Sequence, residues 1–236
     1  MGLIQIRMDA LIKKLDSLER KYIIRKKATG AGYVPSDAYT ILYALNVARE
    51  LMGSPLERNG NNCDFRMCDL GAGLGRVVAL AVSDKMWAYG IEENEYLAKH
   101  ANKILGKLRK HIGSRGVIYH ASMYTPEFML YRDDGSPSVR LEKEEDATQV
   151  GYHVHEHPIK KHLHNYYANT DIFYSYPWAE QIPAIVDLFS FHASPGATLV
   201  MNSQLPEYLP AFADELELTL TEKQRGVKKI LLLQKH

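Results

Sequence analysis

Cysteine is scarce in this chain: two of 236 residues, Cys63 and Cys68. Two thiols make neither a disulfide framework nor a zinc site, and they fit a reducing compartment. An excess of one charge is missing as well. With 29 basic against 28 acidic residues the formal net charge is +1, so no molecule-wide field points to nucleic acid, although local patches stay open. No apolar run approaches the roughly twenty residues that span a bilayer. The apolar part of Met1 to Arg7 is too short for a signal peptide. Internal repeats and low-complexity tracts are absent too. What remains is the expectation of a soluble cytoplasmic protein, with no membrane partner and room for one α/β domain with additions.

Glycine, by contrast, is concentrated where it matters. Met67-Cys68-Asp69-Leu70-Gly71-Ala72-Gly73-Leu74-Gly75-Arg76 reads as a short apolar strand carrying an acid, then a glycine-rich turn. The apolar helix Val77 to Val82 follows. Without a Cβ, Gly71, Gly73 and Gly75 let the backbone turn sharply and let a ligand lie against it. A dinucleotide site wants G-x-G-x-x-G, but counting from Gly71 and Gly73 the third glycine position holds Arg76. Asp69 also argues against a pyrophosphate, which favours a positive helix end with no anion beside it.

The spacing Asp-x-Gly-x-Gly-x-Gly resembles the first motif of the class I S-adenosylmethionine (SAM) methyltransferases. SAM has no phosphate; it carries an ammonium and a sulfonium that an acid such as Asp69 can accommodate. Met86 to Glu92 reads as a second apolar strand, and Glu92 stands at its C-terminal edge. One carboxylate there suits both hydroxyls of a ribose cis-diol. A third strand, Gly116 to Met123, ends at Ser122 and Met123, where the family usually has an acid near the adenine. The resemblance therefore implies SAM as cofactor, held by Asp69, Gly71, Gly73, Gly75, Glu92, Ser122 and Met123. Tyr33 lies just before the fold and is a candidate lid residue over the cofactor, or a tyrosine packed at a helix start.

Residues 3 to 27 read as an amphipathic helix, with Met8, Leu11, Leu15, Leu18 and Tyr22 on one face. Its basic end, Arg20, Lys21, Arg25, Lys26 and Lys27, either complements the helix dipole or meets an acidic protein or RNA backbone. A second helix runs through Ile41, Leu42, Leu45 and Leu51, capped by Ser36 or Asp37.

The connection between Met123 and Asp171 exceeds what an ordinary crossover needs. A helix over 158–168 accounts for part of it; the rest, about 126–157, reads as a β-hairpin insertion turning at Asp133 to Pro137. His153, His155 and His157 alternate onto one face of a strand there. That face either binds a metal or is polar over solvent or substrate. The second reading is preferred, and no metal is assigned.

The fourth strand runs from Asp171 through Ser175-Tyr176-Pro177-Trp178. These four residues resemble the motif that SAM-dependent amine methyltransferases carry here, with Tyr176 in place of the usual proline. The resemblance makes them the catalytic candidates: a carbonyl or hydroxyl orients the acceptor N–H, and an aromatic face backs the amine. The packed-aromatic strand end is the alternative. A helix at 179–191, a fifth strand at 197–202 and a final antiparallel pair at 216–221 and 229–234 complete seven strands.

The expected architecture is thus a Rossmann-like, mostly parallel seven-stranded sheet with an antiparallel last strand. It divides into an N-terminal helix (1–32) and a methyltransferase domain (33–236). Tyr33 to Ser36, Asp69 to Arg76 and Gly90 to Glu92 are also similar to the small seven-strand lysine N-methyltransferases. The resemblance implies methyl transfer from SAM to an amine, with protein lysine first among acceptors. An RNA base and a catalytically inactive SAM-binding scaffold are the alternatives.

Overall fold

The computed structural model describes residues 2–25, 36–55, 64–123, 165–178, 181–203, 206–226 and 228–236. Tyr33, Cys63, the expected hairpin and His153, His155 and His157 lie outside the described residues.

The first half alternates helix and strand. α1 (Gly2–Arg25) and α2 (Ala38–Met52) precede β1 (Arg66–Leu70), α3 (Arg76–Ser83), β2 (Trp87–Glu92), α4 (Glu95–Ile112) and β3 (Gly116–His120). Then come β4 (Ile172–Ser175), α5 (Ile182–His192), β5 (Thr198–Met201), α6 (Leu209–Glu215), β6 (Leu218–Arg225) and β7 (Lys228–Lys235). The sheet order is β3-β2-β1-β4-β5-β7-β6. All pairs are parallel except those of β7, which is antiparallel to both β5 and β6.

Local chemistry explains the boundaries. Asp37, not Ser36, caps α2, accepting from the Thr40 N–H at 2.8 Å, and Gly53 at φ 72° ends it. Asn94 caps α4 through the Leu97 N–H at 3.1 Å. β3 and β4 stop earlier than their apolar sequence predicts, at His120 and Ser175. At β4 the reason is plain: Pro177 has no N–H to continue a ladder, and Tyr176 has turned out to solvent. α6 has no counterpart in the sequence reading; it is a seven-residue helix with a proline in its first turn.

Two cores flank the sheet. One face packs α2, α3 and α4 over Met67, Tyr174, Val200 and Leu232, and α1 joins this core through Leu11, Ile12, Leu15 and Leu18. The other packs α5 and α6 over Cys68, Phe173, Leu199 and Leu231. Cys68 is fully buried, as a small apolar residue would be. Strand alternation sets this division, since neighbouring residues of each strand serve opposite faces.

Between β1 and β4 the order of strands reverses direction from the chain order, opening a crevice at their C-terminal ends. The two strands are stapled at their other end. There the Arg66 N–H donates to the Asp171 carboxylate at 2.6 Å, and the Asp171 N–H donates to the Arg66 carbonyl at 2.9 Å.

Candidate functional site

The crevice holds a cavity of about 180 Å³ at the C-terminal ends of β1, β2 and β4. Its walls include Asp69, Gly71, Gly73, Glu92, Met123, Ser175, Tyr176 and Trp178. Most of the residues singled out from sequence are therefore brought together. Gly75 is not in the wall; at φ 80° it starts α3. Ser122 and Pro177 are likewise absent from the wall.

The glycine turn uses its freedom fully. Gly71 and Gly73 sit at φ 79° and 53°, where a side chain is strained. A Cβ on Gly71 would meet nothing within 4 Å, so the backbone there borders open space. The turn is tied to β2: the Gly71 and Ala72 N–H groups donate to the Ile91 carbonyl at 3.0 and 2.9 Å.

Glu92 is clamped by backbone. One carboxylate oxygen accepts from the Gly73 N–H at 2.7 Å, and the other from the Asn94 N–H at 2.8 Å. Each oxygen keeps lone-pair capacity for one more donor. Burial pushes its carboxyl above the usual range, opposed by these two N–H groups and by the nearby His120. Asp69 is more extreme. It is 3 % exposed, accepts no hydrogen bond among the described residues, and its carboxyl is pushed well up, first by burial and then by Glu92. A buried acid in that state gains from any cation that reaches it.

Three polar wall residues, Tyr174, Ser36 and Gln181, are not among the site candidates that the sequence offers. Tyr174 is buried on β4. Its hydroxyl lies near the Ser36 and Asn202 side chains without a well-formed hydrogen bond to either, and burial raises its pKa. Alternation along β4 placed it opposite Phe173, which was the one available signal. Ser36, passed over as a cap, lines the cavity, as does Gln181. Gln181 and Trp178 bond each other, the Gln181 N–H donating to the Trp178 carbonyl at 2.9 Å and the Trp178 N–H to the Gln181 Oε1 at 3.1 Å.

At the mouth Tyr176 and Trp178 are 48 % and 54 % exposed. Ser175 differs: it is buried, its hydroxyl reaches the Leu70 carbonyl at 3.4 Å, and its own carbonyl accepts from the Asn202 N–H at 3.1 Å. A larger groove of about 490 Å³ lies at the opposite ends of β1, β2 and β3, and among the described residues no carboxylate lines it. Among the described residues no cluster of side chains could hold a metal ion.

No protein-family model matches the chain, and no curated protein matches its sequence. Solved structures do. An RNA methyltransferase from Salinibacter ruber, in complex with S-adenosyl-L-homocysteine, aligns at 13% identity and TM-score 0.50 over 86% of this chain and 95% of that one. The T. thermophilus 16S rRNA N2 G1207 methyltransferase RsmC, in complex with AdoMet and guanosine, aligns at 16% identity and TM-score 0.54 over 88% of this chain. This chain spans 45% of that one. A ribosomal protein L11 methylase from Lactobacillus delbrueckii subsp. bulgaricus aligns at 12% identity and TM-score 0.53, over 87% and 83% of the two chains. At such identities likeness speaks for architecture, and the chain has the seven-strand, Rossmann-like fold of the class I SAM-dependent methyltransferases.

Proposed function

We propose that the chain is a SAM-dependent N-methyltransferase acting on an amine, with protein lysine as the first acceptor. The observation that carries this reading is the pairing of Asp69 and Glu92 over a glycine turn in a cavity whose mouth is aromatic. The residues present fit the cofactor. Glu92, fixed by two backbone N–H groups, has acceptor capacity left for a ribose diol. Asp69, buried and without a hydrogen bond among the described residues, favours a cationic group. Gly71 leaves room for close approach, and the Tyr174 hydroxyl offers a buried polar group with no good partner.

When bound, SAM supplies an electrophilic methyl on a sulfonium. The work left to the chain is alignment and exclusion of water. Ser175 is engaged in joining β4 to its neighbours, so the backbone at Tyr176 and the rings of Tyr176 and Trp178 take over acceptor orientation. Exposed aromatic faces suit an aliphatic amine arriving from solvent. The same faces also suit a stacked base, and with the basic run Arg25 to Lys27 they motivate an RNA base as the second acceptor class.

Incubation with labelled SAM and cell extract, with parallel protease and ribonuclease treatment, separates these. Label lost to protease supports the lysine reading, and label lost to ribonuclease moves the acceptor to RNA. Absence of label from both, with SAM binding intact, would favour the scaffold alternative over either transferase.

A further inference from the structure

Arg76 begins α3 immediately after the glycine turn and lines the cavity. Its guanidinium reaches the acids of α1. The Nε–H donates to both carboxylate oxygens of Glu19 at 3.1 Å, and a terminal N–H donates to Glu19 as well and to Asp16 at 2.6 Å. Glu19 is 2 % exposed, Arg76 11 % and Asp16 41 %. Both acids come from α1, more than fifty residues upstream, and sit one turn apart on the face that also buries Leu15 and Leu18. A fork of this kind fixes a guanidinium in both position and direction.

A cation at this place matters because of the donor's chemistry. SAM carries a positive sulfonium, whereas S-adenosylhomocysteine, its product, is a neutral thioether. An unneutralised Arg76 would repel the donor and leave the product untouched. We propose that Glu19 and Asp16 hold and screen Arg76 so that α1 tunes the cavity towards the charged donor over its neutral product. The inference rests on the SAM reading above and deepens it. Glu19 and Asp16 act through Arg76 and touch no reacting atom, so they are positioning residues.

The test is calorimetric titration of the full chain with SAM and with S-adenosylhomocysteine, comparing the ratio of the two affinities. Glu19→Gln should weaken SAM about five- to tenfold more than the thioether, the scale of one charge acting across a partly buried site. Asp16→Asn, at an exposed position, should shift the ratio the same way by less. Adding Arg76→Met to Glu19→Gln removes the less-screened cation and should return the ratio to the wild-type value. Equal weakening of both ligands by Glu19→Gln, or a ratio that stays skewed in the double variant, overturns the inference. Should Glu19→Gln fail to fold, an unchanged ratio in Asp16→Asn does the same. Wild-type protein that binds neither ligand overturns the cofactor reading itself, a result distinguishable from all of these.

Discussion

Asp69 combines two opposed demands. Its carboxyl is pushed well above the ordinary range by burial and by Glu92, so the folded state holds the proton more tightly than the unfolded chain does. That preference stabilises the fold below the ordinary carboxylate range and is lost as pH rises through the higher folded value. Asp69→Asn should therefore match wild type below about pH 3 and exceed it in stability towards neutrality. Urea unfolding across that range measures the difference. Ligand binding should run the other way, because a cation prefers the ionised acid. SAM affinity should rise with pH as the proton leaves, and in Asp69→Asn this rise should be lost.

Glu92 and Gly90 make sharper claims at the same scale. Glu92→Ala should weaken SAM by about 1.5–3 kcal/mol, as for hydrogen bonds to a charged group. It should also lower thermal stability, since the Gly73 and Asn94 N–H groups lose their acceptor. Unchanged calorimetric affinity would remove the ribose assignment. Gly90 has no freedom to grow: a Cβ there would lie 2.5 Å from the Ala72 Cβ and 2.6 Å from the Ile118 side chain. Gly90→Ala should cost about 1–3 kcal/mol, read from the urea midpoint, because both neighbours belong to packed elements.

Among the elements, α1 is the one whose place the sequence left most open. Periodicity identified its apolar face, but nothing in residues 3 to 27 names the surface that face meets. In the structure Leu15 is fully buried within the core shared by α2, α3 and α4, and Tyr22 packs edge-on against His100 of α4 at 4.6 Å. Leu15→Ala should accordingly destabilise the whole chain by about 2–5 kcal/mol in one cooperative transition, as for a core leucine. A separate early transition would mean that α1 melts independently.

Legibility follows the range of the interactions. Asp69, Gly71 and Gly73 could be read because a strand, a tight turn and a helix within one stretch force their arrangement, and Glu92 because it ends the next apolar strand. Ser36 and the Arg76–Glu19 pair could not, because each depends on a neighbour brought in by packing across the fold, and for Tyr174 alternation along β4 gives the face but not the cavity. The overrun of β4 has a different cause. Tyr176 and Trp178 have strand-like side chains, yet they stand in solvent at the mouth of a cavity, where burial no longer selects for them.

For the molecule as a whole, a ligand that binds only the folded state adds stability by mass action. SAM at a hundred times its dissociation constant should add about 2.7 kcal/mol, visible as a rise in Tm that grows with concentration. Absence of any such shift would count against the site. The direction of that effect in time follows from how the crevice is made. β1 and β4 lie side by side, yet the staple between Arg66 and Asp171 joins positions 105 residues apart. Contacts of such separation are slow to form, because chain entropy is lost before they reward it. The cavity is thus absent until the two halves of the chain have met. SAM should consequently leave the refolding rate nearly untouched and slow unfolding instead. The donor would then lengthen the lifetime of finished molecules without hastening their assembly.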